Sequence, residues 1–162
     1  MNKEENTRGT RPRKFQHRPE KPRMDEDVKK VIDACQHALA TDLKPFTIEG
    51  LNGFQRKQVY QYFEKTREYN VKTYKHEEET VIKVYPVGNL KRLAEQKAQE
   101  VLMTGEPGNL PPLGSYERFV IHDYLKERGG VRTASSGEGE ERHVEIHPIY
   151  GRTPKKAKKR LT

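Results

Sequence analysis

The sequence predicts an α+β chain of two tandem small units. Each unit reads helix, helix, strand, strand, with a small antiparallel sheet packed on its helices. Three observations lead there. The chain repeats itself at a spacing of 62 residues. Its apolar periodicity passes from helical to alternating twice, in the same order. Hydrophobic residues make up 31% of the 162, against 35% charged, which is thin material for one large core.

The repeat is the firmest of the three. At a spacing of 62, Leu51 falls on Leu113, Phe54 on Tyr116, Arg56 on Arg118, Val59 on Ile121 and Tyr60 on His122. Ile82, Val84 and Pro86 fall on Val144, Ile146 and Pro148, and Val28 and Val31 on Leu90 and Leu93. Between these blocks, Val71 and Thr73 match Val131 and Thr133 at a spacing of 60, which reads as a loop differing by two residues.

Each unit opens with an amphipathic helix, expected over 26–41 and 89–104. Val28, Val31, Ile32, Cys35 and Leu39 form one apolar stripe, and Leu90, Leu93, Ala94, Val101 and Leu102 the other. Cys35 therefore reads as core. Gly105 suits a helix stop. Loops rich in Pro, Gly and Asn follow at 42–51 and 105–114, and Phe46–Ile48 has the residues for a short strand. Second helices are expected over 53–66 and 115–128, with Asn52 and Ser115 as N-caps and Gly129-Gly130 as a stop. Alternating residues predict strands at 70–75 with 80–86, and at 131–135 with 142–149. GEGEE at 137–141 reads as a polar hairpin loop, as does the acidic run His76 to Glu79. Units of about 60 residues have marginal cores, so the two should pack together or share the helix at 89–104.

The expected organisation is a basic tail at 1–23, units at 24–88 and 89–150, and a basic tail at 151–162. The tails carry no periodic apolar pattern and read as disordered. They hold +5 and +6 of a total of +8, which leaves −3 for residues 24–150. Such tails bind polyanions through counterion release. Any site in the middle must then be local. No run approaches the roughly 18 apolar residues of a spanning helix, and the N-terminus has no apolar segment of a secretory signal. One cysteine excludes an intramolecular disulfide framework and a cysteine-based zinc site. A reducing cytoplasm is the simplest compartment.

The candidate site lies on the helix at 115–128. Arg118 and His122 are four apart and share a face. At 100° per residue, Arg118, His122, Lys126 and Phe119 span roughly one quadrant. A cation for phosphate, an imidazole and a ring for stacking suit single-stranded nucleic acid. A solvated polar face reads the same way from spacing alone.

Here the residues carry a resemblance. LPPLGSYERFVIHDYL, followed by GVRTASSGEGEERHVEI, resembles the R-3-H domain, named for Arg-x3-His. Residues 90–149 are also similar to the C-terminal part of the bacterial Jag, or SpoIIIJ-associated, proteins, where a helix like LKRLAEQKAQEVLMTG comes first. The resemblance implies single-stranded RNA or DNA bound on a small sheet packed by helices. It makes Arg118 and His122 the signature pair and Arg142 a third basic contributor. Stacking by Phe119 is read from the chain's own chemistry. The KH domain of Jag proteins is not expected upstream, where a second copy of the repeat stands at 24–87. LNGFQRKQVY resembles instead the R-3-H segment of poly(A)-specific ribonuclease, with Tyr60 in place of the histidine. Arg56, Lys57 and Tyr60 are thus a degenerate second set, read either as a second binding site or as a structural copy that has lost its site.

Rival chemistry is weaker. His143, Glu145 and His147 share one strand face, as a metal site or as a solvated face; Val81, Lys83 and Tyr85 stand at the equivalent positions, and no metal is expected. His122-Asp123 comes with no phosphate loop or nucleophile elbow. The expected function is non-enzymatic binding of single-stranded nucleic acid, RNA before DNA, in a bacterial-type protein. No cofactor, membrane or small-molecule substrate is expected. The alternative is a structural or adaptor protein of a ribonucleoprotein such as the ribosome, anchored by the tails.

Overall fold

A computed structural model describes residues 23–76 and 79–149; the tails, apart from Arg23, lie outside the described residues. The first unit comprises α1 (Glu26–Leu39), β1 (Phe46–Ile48), α2 (Gly53–Phe63), β2 (Asn70–His76) and β3 (Glu79–Tyr85). The second comprises α3 (Val87–Thr104), β4 (Gly108–Asn109), α4 (Ser115–Arg128), β5 (Val131–Ser136), a 3-10 turn (Gly139–Glu141) and β6 (His143–Pro148). Both sheets are antiparallel and three-stranded, in the orders β1-β3-β2 and β4-β6-β5.

The helix ends follow local chemistry. Asp25 caps α1 by accepting from the Asp27 amide, and Asn52 with Gln55 forms a capping box on α2. Ser115 is not the cap of α4. That place belongs to Gly114, which makes no side-chain bond, and Ser115 is the first helical residue. A Cβ at Gly114 would meet the carboxyl group of Glu117, so close packing selects glycine there. Gly129 ends α4 at φ 73°, a left-handed value that glycine adopts without strain.

Each unit has its own core. In the first, Val28, Ile32, Cys35 and Leu39 of α1 pack with Val59 and Phe63 of α2 against Ile48, Ile82 and Val84. In the second, α3 and α4 close on Val131, Val144 and Ile146, with Leu90 and Ile121 fully buried. Tyr85 and Val87, at the junction, belong to the second core. The units pack together, and α3 gives Leu90, Ala94, Ala98 and Val101 to the second core, with Leu93 at its edge. Leu102, expected on the same stripe, is exposed because it lies one residue round the helix from Val101. The N-terminus of α3 holds the first unit: Asn89 Nδ2 donates to the carbonyls of Leu39 (2.8 Å) and Asp42 (2.9 Å).

One spacing relates the two sheets throughout. Phe46 faces Val84 as Gly108 faces Ile146; Val71 faces Val84 as Thr133 faces Ile146; Thr73 faces Ile82 as Ser135 faces Val144. Every pair is related by 62. The 60-residue match of Val71 and Thr73 with Val131 and Thr133 is therefore a two-residue slip. Strand side chains alternate with period two, so a shift of two preserves the pattern and hides in sequence. The loop compensation is instead between α2 and α4: α4 runs one turn longer and its loop to β5 is correspondingly shorter.

Candidate nucleic-acid interface

The second unit places its basic group at the start of α4. Arg118 Nη1 donates to the Leu113 carbonyl at 2.6 Å, and the Leu113 amide donates to the Arg142 carbonyl at 3.1 Å. The backbone of one residue thus joins Arg118 to Arg142. A guanidinium has five N–H groups. One is spent on holding Arg118 against the loop, and among the described residues no carboxylate lies within 4.0 Å of it. Arg118 is half-buried and Arg142 exposed. Held at one end and open at the other, Arg118 is arranged to bind a phosphate in a fixed orientation.

His122 is not the freely solvated side chain that a polar helix face alone would give. It is half-buried, and both its nitrogens are engaged on β5: Nδ1 with Thr133 Oγ1 at 2.6 Å and Nε2 with Ser135 Oγ at 2.9 Å. Burial, and then the neighbouring charge of Arg118, push its pKa below the ordinary value of 6.5. At neutral pH the ring is therefore uncharged. One nitrogen donates and the other accepts, so one hydroxyl gives its proton to the ring and the other keeps an O–H for an outside acceptor.

Phe119 is 61% exposed. It stacks on Tyr116, with centroids 6.2 Å apart and planes at 26°, on the side of α4 that faces the first unit. Lys126 is exposed one turn beyond His122.

The first unit repeats the frame and changes the head group. Arg56 Nη1 donates to the Leu51 carbonyl at 2.6 Å, as Arg118 does to Leu113. Tyr60 Oη bonds Thr73 Oγ1, the counterpart of Ser135. Lys57 does not join them. It lines a separate depression with Phe54 and Gln61, because one residue turns a helix by 100°.

The His143, Glu145 and His147 face makes contacts among its own side chains. His147 Nε2 lies 3.2 Å and His143 Nε2 4.0 Å from the Glu145 carboxylate. Among the described residues no group of three such side chains is placed to hold a metal. Nor, among them, is any helix long and apolar enough to cross a membrane. Sequence reasoning missed the polar brace of the second unit. Arg128 and Tyr124 both donate to Glu95, Arg128 through Nε (2.6 Å) and Nη2 (3.0 Å), tying α4 to α3. Their helical spacings gave no sign of it, since the pairing joins two helices.

Comparison with known proteins agrees with this geometry. Residues 88–148 match the family described as the R-3-H domain. Two similar relatives are the RNA-binding protein KhpB of Lactiplantibacillus plantarum and that of Bacillus subtilis. The first is 44% identical over 57 residues, covering 35% of this chain and 18% of that protein. The second is 42% identical over 59 residues, covering 35% of this chain and 28% of that protein. The chain thus spans less than a third of either relative. Arg118, His122 and the two hydroxyls that His122 meets all fall inside the segment, 88–148, that matches the R-3-H domain.

Proposed function

We propose that this chain binds single-stranded nucleic acid, RNA in preference to DNA, as a non-enzymatic cytoplasmic protein. The observation that carries this is the anchored, unneutralised Arg118 beside the hydroxyl pair on β5, within the R-3-H match. RNA is favoured because both relatives are RNA-binding proteins. In this reading Arg118 and Arg142 take phosphates, and Ser135 or Thr133 donates to a phosphate or base edge. His122 acts as a positioning residue that aims the hydroxyls. Lys126 extends the cationic edge, and Arg56 with Tyr60 forms a second, degenerate site in the first unit. The tails add salt-sensitive affinity.

The test is titration of labelled poly(U) and poly(dT) with the full chain at two salt concentrations, for wild type and Arg118→Ala. A single charge-assisted contact of about 1.5–3 kcal/mol is worth roughly a ten- to hundredfold loss. Affinity that Arg118→Ala leaves unchanged, and that salt alone removes, would place binding in the tails. That outcome favours a structural protein of a ribonucleoprotein such as the ribosome, for which the +5 and +6 tails are the motive.

A further inference from the structure

The outer face of the first sheet is turned toward the start of α4, and the two enclose a cleft of about 650 Å³. On this face Lys72 and Lys83 are direct cross-strand partners. Like charges placed opposite one another destabilise a sheet. Among the described residues neither ammonium has a carboxylate within 4.0 Å. Each lies instead over a ring: Lys72 Nζ is 3.6 Å from the Tyr116 centroid, and Lys83 Nζ 5.2 Å from that of Tyr74. Phe119, exposed and stacked on Tyr116, forms the open wall. Paired cations beside an exposed stacking ring, in a groove, are the elements of a single-strand path.

The cleft is continuous with the Arg118 site. Gly114, Ser115 and Glu117 line both it and the depression that holds Arg118, where Lys44 of the first unit also stands. The carboxyl groups of Glu117 and Glu140 line that depression too, and Glu117 is buried beneath Gly114. An acidic peptide would use the lysines but has no need of Phe119.

We infer that the cleft between the units, through Lys72, Lys83 and Phe119, carries a single-stranded nucleic acid onward from the Arg118 site. This rests on the reading under Proposed function. It makes the first unit a part of the binding surface through its sheet, independently of Arg56 and Tyr60. Short oligonucleotides held at Arg118 do not reach the lysines; longer ones do.

The experiment titrates the full chain with labelled oligouridylates of 4 and 12 nucleotides across salt concentrations. The variants are Lys72→Gln/Lys83→Gln, Lys72→Arg/Lys83→Arg, Phe119→Ala and Arg118→Ala, each checked by circular dichroism. The Gln pair should bind the 12-mer about tenfold more weakly. Its slope of log affinity on log salt should fall by about 1.4, two phosphates at roughly 0.7 each for a single strand. Binding of the 4-mer should not change, the Arg pair should bind like wild type, and Phe119→Ala should weaken the 12-mer more than the 4-mer. A Gln pair indistinguishable from wild type on the 12-mer, while Arg118→Ala still loses affinity, overturns the cleft and leaves the Arg118 reading standing. So does an equal loss on both lengths, which assigns the lysines to holding the units together. Labelled polyglutamate that binds wild type and is lost with the Gln pair, the 12-mer being unaffected, also overturns it in favour of an acidic protein. No response to Arg118→Ala at either length is the failure of the underlying function.

Discussion

Removing the imidazole of His122 should cost stability and should erase a pH dependence. His122 makes two side-chain hydrogen bonds to β5, at 2.6 and 2.9 Å. Each such bond contributes about 0.5–1.5 kcal/mol, and both lie near solvent, so His122→Ala should destabilise the chain by about 1–2 kcal/mol at pH 7.5. The sign of the pH effect follows from the lowered pKa. In the unfolded chain the imidazole takes a proton near 6.5, and in the folded chain only at lower pH. The contribution of His122 is therefore fully present above about 6.5 and declines as pH falls toward the folded value. Urea unfolding of wild type and His122→Ala at several pH values from 5 to 8 isolates this residue, because the other five histidines are common to both. The gap between the two proteins should narrow as pH falls. A gap that stays constant over that range, or that widens on acidification, would refute the reasoning. His122→Tyr should recover part of the loss, since Tyr60 reaches the equivalent hydroxyl from α2.

Three further outcomes are expected. The Arg128 guanidinium holds the Glu95 carboxyl down at about 2, with Gln99 and Tyr124 assisting. The stability it gives is present above the ordinary 4.5 and lost as pH falls toward 2, so Glu95→Gln should flatten acid unfolding in that window, at a cost near neutrality of about 1 kcal/mol after solvent screening. Cys35 is fully buried and its thiol is pushed up to about 12, so a thiol reagent should label it only as the first unit opens, with a rate that tracks urea. Gly137 sits at φ 85°, and a Cβ there would lie 2.9 Å from the Glu141 carbonyl oxygen; Gly137→Ala should lower stability by about 1–3 kcal/mol in the same unfolding assay.

The helices and main strands were legible because their apolar stripes are strong. α1, α4 and β1 fall within two residues of the expected bounds, and α2 stops three residues early at Phe63. β4 was not legible: two residues, Gly108 and Asn109, leave no alternation to read. Arg118 was legible as a member of a helix face, but its bond to the Leu113 carbonyl depends on where the loop returns. The engagement of His122 was invisible for a related reason. Thr133 and Ser135 are ordinary strand residues until the register sets both beside one ring. Lys72 and Lys83 were passed over because alternation says only that they are outward. That their face looks onto Tyr116 follows from the packing of two units, which no local pattern encodes.

The constant spacing of 62 turns the two units into an internal control on which residues serve the frame. What the frame needs recurs in both: an arginine bonded to the carbonyl five residues back, and a side chain on the fourth residue beyond it that reaches a hydroxyl on the strand. A bond present in both units holds helix to loop; Arg118 is set apart by Arg142, where the first unit has Thr80, and by an imidazole that engages two hydroxyls where Tyr60 engages one. The informative positions are those where the units differ. On the outer sheet face Lys72, Lys83 and Tyr85 stand where the second unit has Ala134, Glu145 and His147. The second unit pairs its acid with histidines on that face, whereas the first leaves its cations over aromatic rings. Residues that merely support the sheet have no reason to diverge in this direction. The divergence lies on the face that looks toward α4, and there the first unit adds charge that the second unit's own sheet does not supply.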